Sequence, residues 1–322
     1  MAVGSAVSLP TSCELCPRRC GVNRAAGERG VCGAGSELRV ARAALHAWEE
    51  PVVSVGAGSG TVFFSGCPLR CVYCQNAEIS TGFAGFDISL ERLVEIFLEL
   101  QDREGAANIN LVTPTHYAPW IVEAVRLARS WGLRVPVVYN SSGYETAEAV
   151  RALAGTVDEY LVDFKYAADD VSDAARLYSR AAGYHDEALA ALDEMVAQVG
   201  EPVFGDHRWV DGEGTHADPM LVRGVIVRHL VMPGRLDDSR VVVRELWERY
   251  GNRVLYSFMS QYTPMREFPK FPELNRPTSA EEYEALLDYA DELGLEDYFW
   301  QEGNAALESF IPQWDGTGVL PE

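Results

Sequence analysis

From about residue 60 to about residue 260, short apolar runs alternate with amphipathic stretches. Thr61–Phe64 predicts a first strand. Ser89 is a capping residue ahead of Leu90, Leu93, Val94, Phe97 and Leu98, whose spacing predicts a helix. Ile109–Val112 predicts a second strand, followed by a helix with Pro119 near its start and Gly132 past its end. Val135–Tyr139 reads as a third strand, Tyr144–Ala154 as a short helix and Tyr160–Phe164 as a fourth strand, with a long helical stretch running on to Val199. Gly224–Val231 predicts a fifth strand, Ser239–Tyr250 its helix, and Val254–Met259 a sixth strand. Strands and helices in alternation predict an α/β fold of parallel strands joined by helical crossovers. The pattern allows either an open sheet or a barrel. Polar residues collect just past the strands, at Cys67, Thr113, Asn140, Lys165, Arg228 and Gln261, and in barrels chemistry gathers at the carboxyl ends of strands.

The flanks read differently. Residues 1–58 form a small Cys-rich module, with Cys13, Cys16, Cys20 and Cys32 set among Gly and Arg. Its helical periodicity is weak, so metal is expected to stand in for a core. Gly56–Gly60 contains only Gly, Ala and Ser and reads as a linker. Residues 59–265 carry the strand–helix repeat, and residues 266–322 form a C-terminal extension, Pro-rich at first and helical from about Ser279 to Leu293. Residues 201–219 are a long insertion with Asp206, His207, Asp211, Glu213 and His216. As a metal site this set lacks the tight spacing of helix-borne ligands, so a solvated lid or substrate loop is the expectation.

At 48% hydrophobic, the 322 residues can bury a large core. The net charge of −21 argues against a nucleic-acid partner, which needs clustered Lys and Arg. No apolar run approaches the roughly 20 residues of a membrane span, so no membrane partner is expected. The start, Met1 to Ser8, lacks a basic segment and a long apolar run. A cytoplasmic, reducing setting is therefore expected, where clustered cysteines read as metal ligands.

The other three cysteines lie in Gly66-Cys67-Pro68-Leu69-Arg70-Cys71-Val72-Tyr73-Cys74-Gln75-Asn76, a C-x3-C-x2-C spacing. A disulfide would pair two and strand one, and structural zinc favours two separated pairs. A [4Fe–4S] cube normally takes four thiolates. Three on one tight loop leave one iron open, and an open iron is a place where a substrate binds. Tyr73 beside that iron offers a flat shelf for a planar ring; the alternative is a plain core aromatic. The upstream spacing C-x2-C-x3-C-x11-C over Cys13, Cys16, Cys20 and Cys32 fits either an auxiliary iron–sulfur cluster or zinc. Crowding of the first three on one loop leans toward iron–sulfur.

The triad with its preceding aromatic resembles the signature of the radical S-adenosylmethionine (radical SAM) superfamily. The string from Cys71 through Ser80 resembles its branch of pyruvate formate-lyase activating-enzyme-like proteins. The likeness runs from about residue 13 to about residue 265 and takes in Cys13–Arg24, Asn110–His116, Asp163-Phe164-Lys165 and Arg228–Gly234. It implies a partial (β/α)6 radical SAM barrel, with the C-terminal extension over its open side. It also implies that one electron from a [4Fe–4S] cluster on Cys67, Cys71 and Cys74 cleaves S-adenosylmethionine to a 5′-deoxyadenosyl radical. Where the family often carries Gly-Gly-Glu to hold the methionine amine, this chain has Val112-Thr113-Pro114-Thr115-His116. The hydroxyls of Thr113 and Thr115 and nearby carbonyls are the available acceptors. His116 is either a proton donor or a loop histidine. Asn140, Ser141 and Ser142 can reach the ribose or carboxylate, or can serve as turn residues.

Asp163 and Lys165 lie two apart on one strand and so share a face. The resemblance implies a role for both with S-adenosylmethionine; the alternative is a self-paired buried ion pair. Of Arg228 and His229 only one can face the barrel interior, and Arg228 suits a carboxylate.

The resemblance implies an oxidoreductase that acts on a protein or peptide, a glycyl residue of a partner enzyme being one such target, and that draws on a reducing electron donor. Modification of a small metabolite or cofactor precursor is the alternative. A non-catalytic iron–sulfur carrier or sensor is the further one, and the missing fourth ligand speaks against it.

Overall fold

The computed structural model describes residues 7–210, 214–301 and 311–321. Its strands are β1 (Leu38–His46), β2 (Ser59–Phe64), β3 (Phe86–Ile88), β4 (Ile109–Val112), β5 (Val137–Ser141), β6 (Glu159–Asp163), β7 (Val203–Val210), β8 (Thr215–Leu230), β9 (Leu255–Met259) and β10 (Tyr298–Phe299). They hydrogen-bond in the order β10-β9-β8-β6-β5-β4-β2-β1-β3, with β7 paired to β8. Strands β2, β4, β5, β6, β8 and β9 are parallel neighbours. They appear in chain order without a reversal. A doubly wound sheet would reverse its order at a switch point; strands added always on one side, each followed by a helix, curl into a barrel. The fold is a partial (β/α)6 barrel, and its sheet ends at β10 and β3 rather than closing.

Local signals explain most boundaries. Ser89 accepts the Arg92 amide at 3.1 Å and starts the helix Leu90–Asp102, which buries Leu90, Leu93, Val94 and Phe97. The helix Ala280–Glu292 opens with a capping box between Ser279 and Glu282. The expected strand at Val135 starts later, at Val137, because Pro136 has no amide to pair. The helix expected from Tyr144 starts at Ala147, where Thr146 caps it. The stretch expected to run unbroken to Val199 is two helices, Ala174–Ser179 and Tyr184–Val199, parted by left-handed residues Arg180 and Gly183.

Three features lay outside the sequence expectation. Residues 38–46, placed by sequence in the amino-terminal module, pair antiparallel with β2, from Val40 beside Phe64 to His46 beside Ser59. The stretch read as a linker ends inside β2, and Gly60 is packed so closely that a Cβ there would lie 2.7 Å from the Ala106 Cβ and 2.8 Å from the Asn108 carbonyl. The insertion expected as a loop is instead a β-hairpin, with β7 antiparallel to the first half of β8. It sits at the amino ends of the barrel strands, where the Leu221 amide donates to Val52 at 3.0 Å.

Residues 47–55 plug that same end, with Val53 buried among Val138, Leu161 and Ile226. At the open edge, Trp314 packs edge-on against Phe63 with centroids 5.1 Å apart, and Val319 is fully buried, its carbonyl taking the Arg92 Nε at 2.9 Å. Among the described residues no helix is long and apolar enough to cross a membrane.

Candidate active site

Because strand residues alternate, the inward positions form rows: Val112 lies beside Asn140, and Asp163 beside Arg228. One row further toward the amino ends, Val138, Leu161 and Ile226 meet the plug. Above them, at the carboxyl ends, opens a cavity of about 520 Å³. Cys67, Cys71, Tyr73 and Cys74 line one part of its wall, and Thr113, Asn140, Ser142, Asp163, Lys165 and Arg228 another.

The cysteine loop is held from behind. The Arg18 guanidinium donates to the carbonyls of Pro68 at 2.9 Å, Leu69 at 3.0 Å and Ser179 at 2.9 Å. Arg70, in a left-handed conformation, donates to the Val31 carbonyl at 2.8 Å. Hydroxyls point at two sulfurs: Ser179 Oγ lies 3.0 Å from Cys71 Sγ, and Ser80 Oγ 3.3 Å from Cys74 Sγ. Burial, with the Cys71 charge adding to it, pushes the Cys67 thiol up to about 12, and the same two causes raise Cys74. Bare, these thiols keep their protons; a positively charged iron core would offset the burial and let them ionise.

Among the described residues no group of three or more His, Cys, Asp or Glu side chains is set to hold a single metal ion. A cube spreads its ligands, one to each iron, and three free thiols with hydroxyl donors on one cavity wall fit that need. Tyr73 is nearly buried, edge-on to Tyr178 and Tyr262, and its hydroxyl pairs with Tyr166 at 2.8 Å.

The opposite wall is a chain of charges. Lys165 Nζ lies 2.7 Å from Asp163 Oδ2, and Arg228 Nε lies 2.7 Å from Asp163 Oδ1. Arg228 also donates to Glu49 Oε2 at 2.9 Å and to Asn140 Oδ1 at 2.8 Å. Burial alone would raise the Asp163 carboxyl, but Arg228 and Lys165 outweigh it and hold it at about 2. Burial likewise opposes the Lys165 charge, and Asp163 more than restores it. Both groups are thus fixed charges at neutral pH. Glu50 is buried, and burial together with the Glu49 charge pushes it up against the pull of Arg228. Glu49 and Glu50 belong to the plug, and sequence reasoning missed them: in a linear reading Trp48-Glu49-Glu50 looks like a solvated turn.

Arg228, not His229, faces the cavity. His229 points away, with Nδ1 2.8 Å from the Phe164 carbonyl and Nε2 2.9 Å from Ser239 Oγ. Thr113 lines the cavity in a left-handed conformation, φ +58°, which a β-branched residue seldom takes. Thr115 does not line it: its hydroxyl donates to the buried Glu145 at 2.6 Å, and Ser141 reaches the other oxygen at 3.2 Å. Burial pushes Glu145 up to about 7 against those two bonds. His116 is buried under the cysteine loop with Nε2 2.8 Å from the Ser65 carbonyl, and burial lowers it to about 3; it faces no substrate.

Cys13 and Cys16 are buried, and Cys20 and Cys32 half-buried; all four are unbridged and none lines the cavity. In the hairpin His216 stacks on Trp209, and His207 pairs in register with Asp218. Asp211 and Glu213 lie outside the described residues. No described hairpin residue lines the cavity, so the expectation of a lid or substrate loop there fails on position.

Residues 61–201 match the family model described as Radical SAM superfamily. An uncharacterised protein of Methanocaldococcus jannaschii is 29% identical over 296 residues, covering 88% of this chain and 76% of that one. A pyruvate formate-lyase-activating enzyme of Clostridium pasteurianum is 28% identical over 131 residues, 39% of this chain and 54% of that enzyme, so the match spans about half its length. The crystal structure of a radical SAM methyltransferase from Sphaerobacter thermophilus is similar at 17% identity and a TM-score of 0.47, over 76% of this chain and 67% of that one. Residues 61–201 thus carry a radical SAM domain, and that family works with a [4Fe–4S] cluster and S-adenosylmethionine.

Proposed function

We propose that this radical SAM enzyme abstracts hydrogen from a protein or peptide substrate, in the manner of a glycyl-radical activating enzyme. The observation that carries the reading is the 131-residue likeness to a pyruvate formate-lyase-activating enzyme. A [4Fe–4S] cluster on Cys67, Cys71 and Cys74 would supply the electron that cleaves S-adenosylmethionine to a 5′-deoxyadenosyl radical. The protein's part is to bind and orient. Lys165 and Arg228 present fixed positive charge to the ligand carboxylate, while Asp163 and Glu49 hold those cations in place. Asn140 and Ser142 offer hydrogen bonds from the same wall, and the Thr113 carbonyl or hydroxyl is the acceptor for the amine. Tyr73 gives an apolar edge beside the cysteines for the adenine.

A second reading has its own observation. Gln301, Ile311 and Pro312 add a further wall to the cavity, and a small metabolite suits a more enclosed site. The test is anaerobic turnover of the reduced, reconstituted protein with S-adenosylmethionine and glycine-loop peptides deuterated at the glycine α-carbon. Deuterium in the 5′-deoxyadenosine supports the peptide reading. 5′-Deoxyadenosine without deuterium moves the assignment to a small metabolite. No 5′-deoxyadenosine at all removes the catalytic reading.

A further inference from the structure

Three buried hydroxyls lead from the cavity wall to one sulfur of the triad. Tyr73 lines the cavity, and its hydroxyl lies 2.8 Å from that of Tyr166. The Tyr166 hydroxyl meets Ser179 Oγ, which in turn lies 3.0 Å from Cys71 Sγ. Tyr166 itself is 4.0 Å from that sulfur, too far to compete with Ser179. Ser179 is fully buried, and Tyr73 and Tyr166 are nearly so. Cys74 takes a longer contact, from Ser80 at 3.3 Å.

Local structure places Ser179 at the sulfur. It is the last residue of the helix Ala174–Ser179, which the left-handed Arg180 ends. That end is tied to the triad loop from two sides. The Val72 amide donates to the Tyr178 carbonyl at 2.7 Å, and Arg18 Nη2 bridges the carbonyls of Ser179 at 2.9 Å and Leu69 at 3.0 Å. A helical serine often bonds back to a carbonyl one turn earlier; here the hydroxyl is turned to Tyr166 and to sulfur.

The direction of the relay follows from its sulfur end. A thiolate bound to iron carries no proton and can only accept. Ser179 then gives its single proton to Cys71 and has to accept from Tyr166. Tyr166 has spent its own proton in the same way and has to accept from Tyr73. The three O–H dipoles therefore align toward the sulfur, and aligned hydrogen bonds strengthen one another. Granted the reading above, in which Cys67, Cys71 and Cys74 hold the cluster, we infer that Ser179, backed by Tyr166 and Tyr73, tunes the cluster's reduction potential by donating to the Cys71 sulfur. Reduction adds negative charge to the iron–sulfur core and makes its sulfurs better acceptors. A donor aimed at one of them favours the reduced form and raises the potential. Ser179 and Tyr166 do not line the cavity. They are positioning residues that act on the reaction through Cys71.

The test is a potentiometric titration of the full chain, reconstituted anaerobically with iron and sulfide. It follows the paramagnetic signal of the one-electron-reduced cluster that disappears when Cys67, Cys71 and Cys74 are all changed to Ala. Ser179→Ala should lower the midpoint, shifting the ratio of reduced to oxidised cluster at a fixed potential by up to about tenfold, or about 59 mV for one electron. Tyr166→Phe keeps the ring, leaves the helix end untouched and should lower the midpoint by less. Tyr73→Phe should lower it least. Iron content should match the parent in all three, since no ligand is lost and the Ser179 carbonyl keeps Arg18. Midpoints equal to the parent's in a triad-dependent signal overturn the relay alone. A shift with Ser179→Ala but with neither tyrosine variant overturns the part of the relay behind Ser179. A signal that survives the triple change overturns the cluster assignment, and the relay with it.

Discussion

The two cysteine groups are built to opposite ends. Cys67, Cys71 and Cys74 face a cavity shared with a wall of fixed charges, while Cys13, Cys16, Cys20 and Cys32 lie away from it, all unbridged. The first set is open to a ligand in the cavity; no thiol of the second lines it. Each region holds an arginine, half-buried Arg18 and buried Arg24, used differently. Arg18 spends its guanidinium on backbone carbonyls that shape the triad loop. Arg24 spends Nε and Nη1 on the Gly35 and His116 carbonyls and keeps Nη2 unpaired. Ligand count and access, rather than cysteine content, separate a reaction site from a closed one.

The sharpest way to break that contrast is at the triad. With Cys67, Cys71 and Cys74 all changed to Ala, 5′-deoxyadenosine formation should fall to background, while far-ultraviolet circular dichroism keeps the folded signal. The loop stays tied through Arg18 and Arg70, neither of which uses a cysteine side chain. Residual 5′-deoxyadenosine would mean that the quartet, not the triad, is the open site.

A smaller effect is expected at Lys165. Lys165→Ala removes a charge-assisted contact worth roughly 1.5–3 kcal/mol, so S-adenosylmethionine affinity should drop about ten- to hundredfold. Stability should change little, because Asp163 keeps Arg228 at 2.7 Å and is not left unpaired. The iron content of the reconstituted protein should be unaltered. Early melting with normal affinity per folded molecule would instead make Lys165 a structural partner of Asp163, and the charged wall part of the core.

What was legible beforehand follows the range of the interactions. The six barrel strands announce themselves through local apolar runs, and the helices through caps such as Ser89 and Ser279. The triad is legible because its three ligands are close in sequence. By contrast β1 joins the sheet only through strands later in the chain, β2 and β3, and β10 only through β9. Glu49 enters the site because a plug carries it into the barrel bottom, where it meets Arg228 at 2.9 Å, 179 residues away. Thr115 shares its loop with Thr113, and the two separate only because Thr115 turns to Glu145. The hairpin did carry a local signal, since Val203, Phe204, Trp209 and Val210 favour a strand and precede an Asp211-Gly212 turn pair. Its acidic and histidine residues, lacking ligand spacing, led instead to the expectation of a solvated lid or substrate loop.

The smallest expected effect comes from Thr113, and its two halves have opposite signs. Thr113 sits at φ +58°, stabilised by its amide bond to the Asn140 carbonyl at 2.9 Å. The left-handed conformation costs a side-chain-bearing residue about 1–2 kcal/mol. Glycine escapes that cost but gives back about 0.5–1 kcal/mol in chain freedom. Thr113→Gly should therefore leave stability unchanged or raise it by about 1 kcal/mol, read as a melting temperature equal to or a few degrees above the parent. The hydroxyl is lost from the cavity wall, and an ordinary hydrogen bond is worth about 0.5–1.5 kcal/mol. Affinity for S-adenosylmethionine should fall about two- to tenfold. Such strain is tolerated where a site needs the geometry, and a protein made firmer but a weaker binder would place Thr113 on the open side of the contrast. A variant that melts early would show the β-branched side chain to be packing rather than binding. Unchanged affinity would leave the backbone carbonyl, which glycine retains, as the amine's acceptor.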